Sequence, residues 1–349
     1  MTELMRAAVV YGPGDVRVES VPVPAVKDGE VLVKVTAAGI CTTDLKILRG
    51  EGNLRHRPGI LGHEVAGEVA AAGRSASGYE AGQRVAVYPI AVCGECFYCR
   101  RGRHNLCEKE YGLGHGIDGG FAQYVRIPEE IVRLGGLVPL PAGLSDELAA
   151  LAEPLSCCLA AARAAHTSPG DTVLVVGAGP MGLMHLLVCR WRGAVVAVVD
   201  PNGRRLAKAE ELGAAACFDP GRCDVIGEVR RLTGGRGADQ VISAVGDPEV
   251  AAGYFGALRP GGFFNVFGGP PAGRPVKVDL RWLHYSEAVL TGTFASTPDD
   301  FRLAVGLIAG GCIDAGALVT HRFGLDDFLE AVRLARDGTM LKGVILMDG

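Results

Sequence analysis

The sequence lacks any run of about 18 consecutive apolar residues, the length that a helix needs to cross a membrane. Its first residues, MTELMRAAVVYGPGD, also lack the basic start and apolar stretch of a secretion signal. Positive charge is not in excess, because 35 Lys and Arg stand against 39 Asp and Glu, giving a net charge of −4. Nucleic acids and anionic membranes are bound by clustered positive charge, so neither is expected as a partner. These absences predict a cytoplasmic protein.

Glycine and cysteine, by contrast, are plentiful. The 51 glycines among 349 residues are about twice the usual share of ~7%, which indicates many tight turns and at least one glycine-dependent binding loop. Eleven cysteines without an export signal point to a reducing compartment, where they serve as metal ligands or buried apolar groups rather than disulfides. A chain of this length exceeds one ordinary core, so we expect two domains.

The hydrophobic pattern changes character along the chain. Up to about residue 127, short runs of alternating apolar and polar residues are separated by Gly and Pro, which predicts an irregular β-rich unit. Helices are predicted in this part at 44–48 and, further on, at 146–165. From residue 171, β-branched strands (172–176, 195–200, 240–244, 262–267) alternate with helices (181–191, 204–212), which predicts an α/β unit with a parallel sheet. Two helices (298–309, 325–336) and a strand (343–347) follow.

Four cysteines, Cys93, Cys96, Cys99 and Cys107, lie in one polar segment, CGECFYCRRGRHNLC. Three thiols at every third residue and a fourth eight residues later can converge on one tetrahedral ion. Four unrelated core cysteines are the alternative, but the segment is too polar for a core. An iron–sulfur cluster is the rival metal group. The last spacing is longer than in the ferredoxin run and no Pro follows Cys107, so zinc is favoured. Four protein ligands leave no open position, so this zinc is predicted to be structural.

A second set of potential ligands is dispersed: Cys41 in GICTTD, His63 and Glu64 in GHE, and Glu153 in AEP. Each alone has an ordinary explanation, because an isolated histidine or glutamate is usually hydrogen-bonded or solvated. Together they supply a thiolate, an imidazole and carboxylates, a set that suits a catalytic zinc with an exchangeable position. Asp44, three residues after Cys41, could hold the second ring nitrogen of His63.

A glycine motif, GAGPMG at 177–182, directly follows a buried predicted strand and opens a predicted helix. In that context its glycines let the backbone approach a pyrophosphate at the helix N-terminus. The next predicted strand ends in Asp200, whose carboxylate can accept hydrogen bonds from ribose hydroxyls and would repel a 2′-phosphate. NAD is therefore predicted over NADP, although Arg204 and Arg205 lie close by in the sequence.

In their order along the chain, the segments GICTTD, GHEVAGEV, CGECFYCRRGRHNLC, GGFAQYV, AEPLSC and VLVVGAGPMG resemble those of the zinc-containing medium-chain dehydrogenase/reductase family. The resemblance covers essentially the whole chain and is nearest to the sorbitol and threonine dehydrogenase branch. It implies an α/β protein with a GroES-like β-rich catalytic domain, formed by residues 1–157 and 294–349, and an inserted Rossmann domain, residues 158–293. The structural zinc lobe would occupy about residues 90–110.

The resemblance also implies the chemistry, which is hydride transfer between a secondary alcohol and nicotinamide at a zinc ion that acts as a Lewis acid. Cys41 and His63 would bind this zinc, with Glu64, Glu153 or both completing the set. Thr43 would take the alcohol proton and pass it along the cofactor ribose. Many relatives have a histidine at the end of this relay, but the residue here is Lys46. We therefore expect Lys46 to orient the ribose or the substrate.

The cofactors expected are two zinc ions per chain, one catalytic and one structural, and NAD. The residues expected to contact NAD are Gly177, Gly179, Pro180, Met181, Gly182, Asp200, Arg205, Val245 and Lys342. Lys342 matches a basic position that approaches the cofactor pyrophosphate, and an ordinary surface lysine is the alternative interpretation. The partners expected are a small-molecule alcohol or ketone and further copies of the chain, with a homotetramer favoured over a dimer.

The substrate is less sharply indicated. In sorbitol dehydrogenases a tyrosine and an arginine help to hold the polyol, and an ungapped match places Ile47 and Ala295 at those positions, which argues against sorbitol itself. The stretch HYSEAVLTGTFASTPDDF is similar to enzymes that act on polyols, cyclitols and aminocyclitols such as 2-deoxy-scyllo-inosamine. A ring or chain polyol or an amino alcohol is predicted.

Two other functions are alternatives to this one. A quinone or enoyl reductase of the same superfamily would lack both zinc sites, whereas both ligand sets are present here. A non-catalytic dinucleotide-binding scaffold would have no reason to keep Cys41, Asp44, His63 and Glu153 together. Metal content separates the three: two zinc ions per chain for the dehydrogenase, one for the scaffold and none for the reductase.

Overall fold

The computed structural model describes residues 3–52 and 54–347. The chain forms two compact units, a terminal unit made of Met1–Ser156 and Ser296–Gly349, and a central unit, Cys157–Ala295. The predicted boundaries, after residues 157 and 293, lie one residue later and two residues earlier than these. No helix in the described ranges is both long enough and apolar enough to cross a membrane.

The N-terminal part of the chain is mostly short strands. They are β1 (Leu4–Gly12), β2 (Asp15–Pro22), β3 (Val31–Gly39), β4 (Gly59–Ile60), β5 (Glu64–Ala72), β6 (Arg84–Val87), β7 (Ile90–Ala91), β8 (Tyr111–Gly112), β9 (Tyr124–Ile127) and β10 (Leu137–Pro139). The helices of this part are α1 (Thr42–Leu48), α2 (Glu129–Arg133), α3 (Asp146–Ala150) and α4 (Ala152–Ala164).

Strands and helices alternate in the central unit. The strands are β11 (Thr172–Val176), β12 (Val195–Val199), β13 (Ala216–Phe218), β14 (Ala238–Ser243), β15 (Leu258–Val266) and β16 (Val289–Gly292). The helices are α5 (Pro180–Trp191), α6 (Gly203–Glu211), α7 (Val225–Leu232), α8 (Pro248–Ala252) and α9 (Leu280–Ser286). The chain ends with α10 (Pro298–Ala309), β17 (Val319–Gly324), α11 (Phe328–Arg336) and β18 (Lys342–Leu346).

Both chain ends meet in the main sheet of the terminal unit. Its strand order is β10-β6-β5-β3-β18-β17, with β9 also paired to β3. β18 runs antiparallel to β3, with Ile345 opposite Ala38. Apolar side chains of the strands, α1 and α11 form one buried core, in which the rings of Phe121 and Phe328 lie 4.8 Å apart. The sheet places the N-terminus of α1, the start of β5 and the start of β18 close together, because all three adjoin the end of β3.

The central unit is a parallel sheet with the strand order β13-β12-β11-β14-β15-β16. Numbered by their sequence within the unit, these strands follow the order 3-2-1-4-5-6 of a Rossmann fold. Every residue of β11 is buried, as a strand covered by helices on both faces requires. The strand order reverses between β11 and β14, and ligands of such sheets bind beyond the carboxyl ends of the strands at this point.

Two predicted helices differ from those observed. The predicted helix at 146–165 is two helices, α3 and α4, separated at Leu151. Pro154 explains the break, because it has no N–H group to donate to the carbonyl of Ala150. The predicted helix at 325–336 begins with a 3-10 turn, Leu325–Asp327, and the α-helix starts only at Phe328.

Candidate active site

Three side chains with metal-binding atoms converge where α1 and β5 begin. Cys41 is the N-cap residue of α1, Glu64 is the first residue of β5, and His63 directly precedes it. One donor atom from each of the three lies within 4.8 Å of the other two. A thiolate, an imidazole and a carboxylate at such separations can share one zinc ion, since zinc–ligand bonds measure about 2.0–2.3 Å.

Asp44 holds the segments of this cluster together from a buried position, with only 1% of its surface exposed. Its Oδ2 accepts a hydrogen bond from Cys41 N (2.9 Å) and its Oδ1 accepts one from Gly62 N (3.3 Å). Oδ1 also lies 3.6 Å from His63 Nδ1, a separation that suits an ion pair rather than a hydrogen bond. An imidazole whose Nδ1 faces a carboxylate presents Nε2 to a metal.

The electrostatics of His63 also fit a cation at this place. Burial lowers the pKa of His63, but Asp44 and Cys41 outweigh burial and hold that pKa well above the usual range. Surroundings that favour a positively charged ring equally favour a metal cation. The residues therefore fit a zinc ion both by their donor chemistry and by their charge.

Glu64 is fully buried and pairs with Lys342, the first residue of β18. Lys342 Nζ donates hydrogen bonds to Glu64 Oε1 (2.6 Å) and to Ile40 O (2.9 Å). Glu64 Oε2 is only 2.5 Å from the same nitrogen, but no donor among the described residues meets it with hydrogen-bond geometry. This oxygen thus keeps lone pairs for another partner, as a metal ligand requires.

Lys342 is not an ordinary surface lysine, and that alternative is wrong. Only 4% of its surface is exposed, because it is buried against Glu64 and the end of β3. Burial lowers the pKa of its ammonium group, but Glu64 and Cys41 outweigh burial and raise that pKa, so the group stays charged. The expected contact between Lys342 and the cofactor pyrophosphate stays a prediction.

The remaining residues expected at the active site lie on the helices α1 and α4. Glu153 is in the first turn of α4 and is not one of the three groups that converge, although its charge acts on Lys342. Thr43 is exposed in the first turn of α1, and Lys46 is half-buried one turn later. The roles of Glu153, Thr43 and Lys46 stay predictions.

The four cysteines of the 93–107 segment also converge. Their Sγ atoms all lie within 4.8 Å of one another, and those of Cys93 and Cys107 are 3.6 Å apart. Backbone N–H groups of Cys99 and Glu108 lower the pKa of Cys96 to about 6, whereas burial raises the pKa of Cys99 to about 12. Four thiolates in this volume would repel one another unless a cation lay between them. The donor set therefore fits a closed zinc site.

In the central unit, the glycine motif makes a loop that fits a pyrophosphate. Gly177 has a φ of +96°, which side chains disfavour. A Cβ atom at Gly182 would come within 1.7 Å of the carbonyl oxygen of Gly177. At Gly179, by contrast, the Cβ position faces open space beside the N-terminus of α5, which begins with Pro180 and Met181. A phosphate there can approach the backbone closely.

Asp200 follows the last residue of β12 and ties this loop in place. Its Oδ2 accepts a hydrogen bond from Ala178 N (2.7 Å), and its Oδ1 accepts one from Asn202 N (2.8 Å). Arg205 Nη1 lies 3.9 Å from Oδ2. The carboxylate is 5% exposed and held in one orientation at the carboxyl end of the sheet. It retains lone pairs that ribose hydroxyls could use.

A groove of about 500 Å³ lies beyond the carboxyl ends of β11 and β12. Gly177, Asp200 and Val245, all predicted cofactor residues, line it. It is also lined by residues that sequence analysis missed, among them Pro220, Cys223, Val250 and Tyr254. No motif marks these residues. Their only signal is that they follow the third and fourth strands of a parallel sheet, at the end where ligands of such sheets bind.

Two converging ligand sets and a Rossmann fold with an open glycine loop define the class of zinc-dependent dehydrogenases that use a nicotinamide dinucleotide. Comparisons with known proteins agree with this class. Residues 27–141 match the family described as "Alcohol dehydrogenase GroES-like domain", and residues 180–310 match "Zinc-binding dehydrogenase".

Individual relatives align over nearly their whole lengths. Sorbitol dehydrogenase of Bacillus subtilis (strain 168) is 33% identical over 336 residues, which cover 95% of this chain and 93% of the relative. L-threonine 3-dehydrogenase of Pyrococcus abyssi (strain GE5 / Orsay) is 33% identical over 99% of both chains. A crystal structure described as a zinc-binding dehydrogenase of Sinorhizobium meliloti 1021 bound to NADP matches with a TM-score of 0.92 and 31% identity, over 99% of this chain and 100% of the other.

This chain belongs to the zinc-dependent medium-chain dehydrogenase/reductase family, in the branch that includes polyol and threonine dehydrogenases. It is an alcohol dehydrogenase, an oxidoreductase of secondary alcohols that uses zinc and a nicotinamide cofactor. The predicted family, its fold of a GroES-like unit with an inserted Rossmann unit, and the class of reaction are confirmed.

Proposed function

We propose that this protein transfers a hydride between NAD and a secondary alcohol group of a polyol, cyclitol, aminocyclitol or other amino alcohol, and that each chain binds two zinc ions. The observation that carries the proposal is the convergence of Cys41, His63 and Glu64 around one point, with Asp44 behind His63. A purely structural zinc would be served by the four cysteines alone.

In this proposal the zinc ion, when bound, supplies a Lewis acid that lowers the pKa of the alcohol. Asp44 fixes the imidazole of His63 so that its other nitrogen faces the metal. Thr43, exposed in the first turn of α1, takes the alcohol proton and passes it to the cofactor ribose. Lys46, on the same helix, orients the ribose or the substrate rather than ending the proton relay.

NAD rather than NADP is the cofactor we propose. The support is Asp200, a buried carboxylate at the end of β12 that offers lone pairs to ribose hydroxyls and negative charge against a 2′-phosphate. The structural relative from Sinorhizobium meliloti binds NADP, so the family accommodates either cofactor. Arg205, 3.9 Å from Asp200, is the group that could favour NADP if the carboxylate were absent.

The substrate class rests on the relatives and on two positions of this chain. One relative acts on sorbitol and another on threonine, a polyol and an amino alcohol. Ile47, which stands at the matched position of a sorbitol-binding tyrosine, is 3% exposed and lies in the core of the terminal unit. Ala295 supplies no guanidinium group. We therefore propose a polyol, cyclitol or amino alcohol other than sorbitol.

The test combines metal analysis with a substrate panel. Zinc is counted in the purified protein and in a Cys41→Ser variant, with two and one ions per chain expected. Polyols, cyclitols, aminocyclitols and threonine are then assayed with NAD and with NADP. A protein that oxidises none of these alcohols, or that holds one zinc which Cys41→Ser does not remove, would contradict the proposal.

We also propose that the protein is a homo-oligomer of the cytoplasm, with a tetramer favoured over a dimer. Strand β16 is an edge of the central sheet, and exposed apolar side chains lie on it and on the segments that adjoin it in the chain: Leu280 (73% exposed), Tyr285 (71%), Val289 (47%) and Phe294 (69%). Large exposed apolar side chains next to a free sheet edge are typical of a contact site. A reducing compartment is supported by the cysteines, none of which forms a disulfide in the described residues.

A further inference from the structure

Three buried hydroxyl groups of the terminal unit form a chain of hydrogen bonds that no sequence motif marks. They belong to Tyr88, which directly follows β6, to Ser156 in α4, and to Ser296, which lies two residues before α10. These residues are 0%, 0% and 2% exposed. Tyr88 Oη donates a hydrogen bond to Ser296 O (2.8 Å), and the Oγ atoms of Ser156 and Ser296 are 2.7 Å apart. Three segments that are far apart in the sequence therefore meet at Ser296.

The direction of this hydroxyl chain follows from the number of hydrogens. Ser156 Oγ lies 2.6 Å from Glu153 O, and a carbonyl oxygen can only accept, so Ser156 donates its single hydroxyl hydrogen there. Ser296 Oγ then donates to Ser156 Oγ, because Ser156 has no second hydrogen to give. The chain thus runs from Tyr88 through Ser296 and Ser156 to the backbone of Glu153. Because these groups are buried, removing one hydroxyl leaves its neighbour without a partner.

Glu153, at the end of the hydroxyl chain, lies in the first turn of α4. Its charge acts on the buried Lys342, and the charge of Cys41 acts on the same group, so both lie near it. Glu153 therefore belongs to the surroundings of the candidate catalytic zinc site, where it is expected to help complete the ligand set. The bonds through Ser156 tie the backbone of Glu153 to Ser296, in the C-terminal part of the chain.

Ala295, directly before Ser296, shows how firmly this segment is held. Its φ is +54°, in the left-handed region that residues with a side chain disfavour. Such residues persist only where their surroundings fix them, and they are concentrated at functional sites. Ser296 supplies the fixation, because its Oγ is bonded to Ser156 and its carbonyl oxygen accepts from Tyr88. The hydroxyl chain therefore maintains a strained backbone as well as the position of Glu153.

We propose that Ser296 is a positioning residue that acts through Ser156 to hold Glu153 in place at the catalytic zinc site. This inference rests on the catalytic zinc site of the proposed function. Without the hydroxyl of Ser296, Ser156 Oγ loses its donor and the bond between Ser296 and α4 is broken. The carboxylate of Glu153 is then no longer held at a fixed distance from Cys41, and metal binding weakens.

A double-mutant cycle on zinc affinity tests the proposal. Zinc binding is measured by competition with a chelator, and Cys41→Ser gives the contribution of the four-cysteine site. Ser296→Ala is expected to weaken zinc binding at the catalytic site ~10-fold, the low end of the effects of groups behind metal ligands. In a Glu153→Gln background the same change should have little further effect, because the carboxylate that Ser296 positions is gone. Ser243→Ala is the matched control. Ser243 is 0% exposed and its Oγ has no hydrogen-bond partner among the described residues, so zinc affinity should stay as in wild type.

The outcomes separate this inference from the function on which it rests. If wild type binds only the zinc of the cysteine lobe, the proposed function fails and the inference with it. If wild type binds two zinc ions, the inference alone is overturned by an unchanged affinity in Ser296→Ala or in Glu153→Gln. It is also overturned if Ser296→Ala weakens binding equally with and without the carboxylate of Glu153, since a merely structural role gives additive effects. Should Ser296→Ala fail to fold, Ser156→Ala removes the next hydroxyl of the chain and the same results are expected.

Discussion

Both carboxylate oxygens of Asp200 already accept hydrogen bonds from the protein, one from Ala178 in the glycine loop and one from Asn202. Asp200→Ala should therefore weaken the binding of both cofactors, because the loop loses its anchor. It should weaken NAD binding more, because the ribose loses an acceptor while a 2′-phosphate loses a repelling charge. We expect the NADP/NAD ratio of kcat/KM to rise by at least ~10-fold, equivalent to about 1.4 kcal/mol.

Arg205 provides the control for this prediction. Its guanidinium group, 3.9 Å from Asp200, is the nearby cation that can pair with a 2′-phosphate. Arg205→Ala in the Asp200→Ala background should cancel most of the gain for NADP. Steady-state kinetics with both cofactors measures the effect. A wild type that already prefers NADP would show that Asp200 does not select NAD.

Thr43 carries the second prediction at this scale. It is exposed in the first turn of α1, two residues after Cys41, and is expected to take the proton of the alcohol. Thr43→Val keeps the shape of the side chain and removes the hydroxyl, so kcat should fall by ~10²–10⁴-fold, the range typical of proton-transfer groups. Thr43→Ser should retain most of the activity.

Lys46→Met separates the two possible ends of the proton relay. If Lys46 only orients the ribose or substrate, this variant should raise KM and leave the shape of the pH–rate profile as in wild type. The pH–rate profiles of wild type and Lys46→Met, measured between about pH 6 and pH 10.5, check this. Loss of a kinetic pKa in Lys46→Met would make Lys46 the terminal group of the relay.

At the scale of elements, the hydrophobic pattern predicts those strands and helices whose positions are set by the burial of apolar residues. The strands β11, β12 and β14 were predicted because they are continuous β-branched runs, and α5 and α10 because glycine or proline and polar caps mark their starts. β13 and β17 were missed because their residues are only partly buried and their pattern is weak. β16 was missed for a related reason, since an edge strand with exposed Val289 has no buried face to mark it.

The two candidate metal sites also differ in how well the sequence predicts them. Cys93, Cys96, Cys99 and Cys107 could be predicted as a site because their ligands are close in sequence. Cys41, His63 and Glu64 are a weaker signal, because they are dispersed in the sequence and meet only after β3 pairs with β5. The contact between Glu64 and Lys342 could not be predicted from the sequence at all. It joins positions 278 residues apart and depends on β18 pairing with β3.

The cysteine lobe is an element whose stability should depend on metal. It consists of short 3-10 turns with Phe97 exposed and little apolar core of its own. Cys99→Ser should lower the melting temperature by more than about 5 °C and reduce solubility, while the surviving molecules keep near-normal kcat. Calorimetry and kinetics on the soluble fraction measure this. Cys312→Ser, at an exposed cysteine outside the lobe, is the control and should change neither. Loss of turnover at an unchanged melting temperature would contradict a structural role.

His185, a residue of α5, makes the free energy of unfolding depend on pH. Its ring is fully buried against Phe267, and neither ring nitrogen has a hydrogen-bond partner among the described residues. Burial lowers the pKa of His185 to about 3. In the unfolded chain the pKa of a histidine is about 6.5. Between about pH 6.5 and pH 3 the unfolded state therefore binds a proton that the folded state does not bind. The stability that this histidine allows above pH 6.5 is therefore lost progressively as the pH falls toward 3.

His185→Leu removes this dependence and keeps an apolar side chain of similar size. Between pH 7 and pH 5 the wild type should lose about 2 kcal/mol of unfolding free energy through His185 alone, and the variant should lose that much less. Denaturant titrations at the two pH values measure the difference. His284→Leu, at an exposed histidine, should leave the wild-type dependence intact. Equal losses in wild type and His185→Leu would show that His185 does not control the acid side of stability.

At the scale of the whole molecule, β16 is the feature that bears on assembly. In the described residues β16 pairs only with β15, so its other edge carries backbone groups that can bond to another strand. Two copies related by a two-fold axis could join these edges as antiparallel strands, which would extend the parallel sheet of each copy and cover the apolar side chains around them. Val289, 47% exposed on this strand, would lie within that contact.

Val289→Lys should therefore shift the protein to a smaller assembly, because a lysine on a strand edge opposes edge-to-edge pairing by charge and by its hydration. Val195→Lys is the matched control. Val195 is 41% exposed and begins β12, an interior strand of the same sheet, so it offers the same chemical change away from the free edge. Sedimentation velocity at micromolar concentration should find wild type and Val195→Lys at the same oligomeric size and Val289→Lys at a smaller one. A monomeric wild type would refute the homo-oligomer itself. An unchanged oligomeric size in a folded Val289→Lys would instead show that the contact between copies lies on another surface.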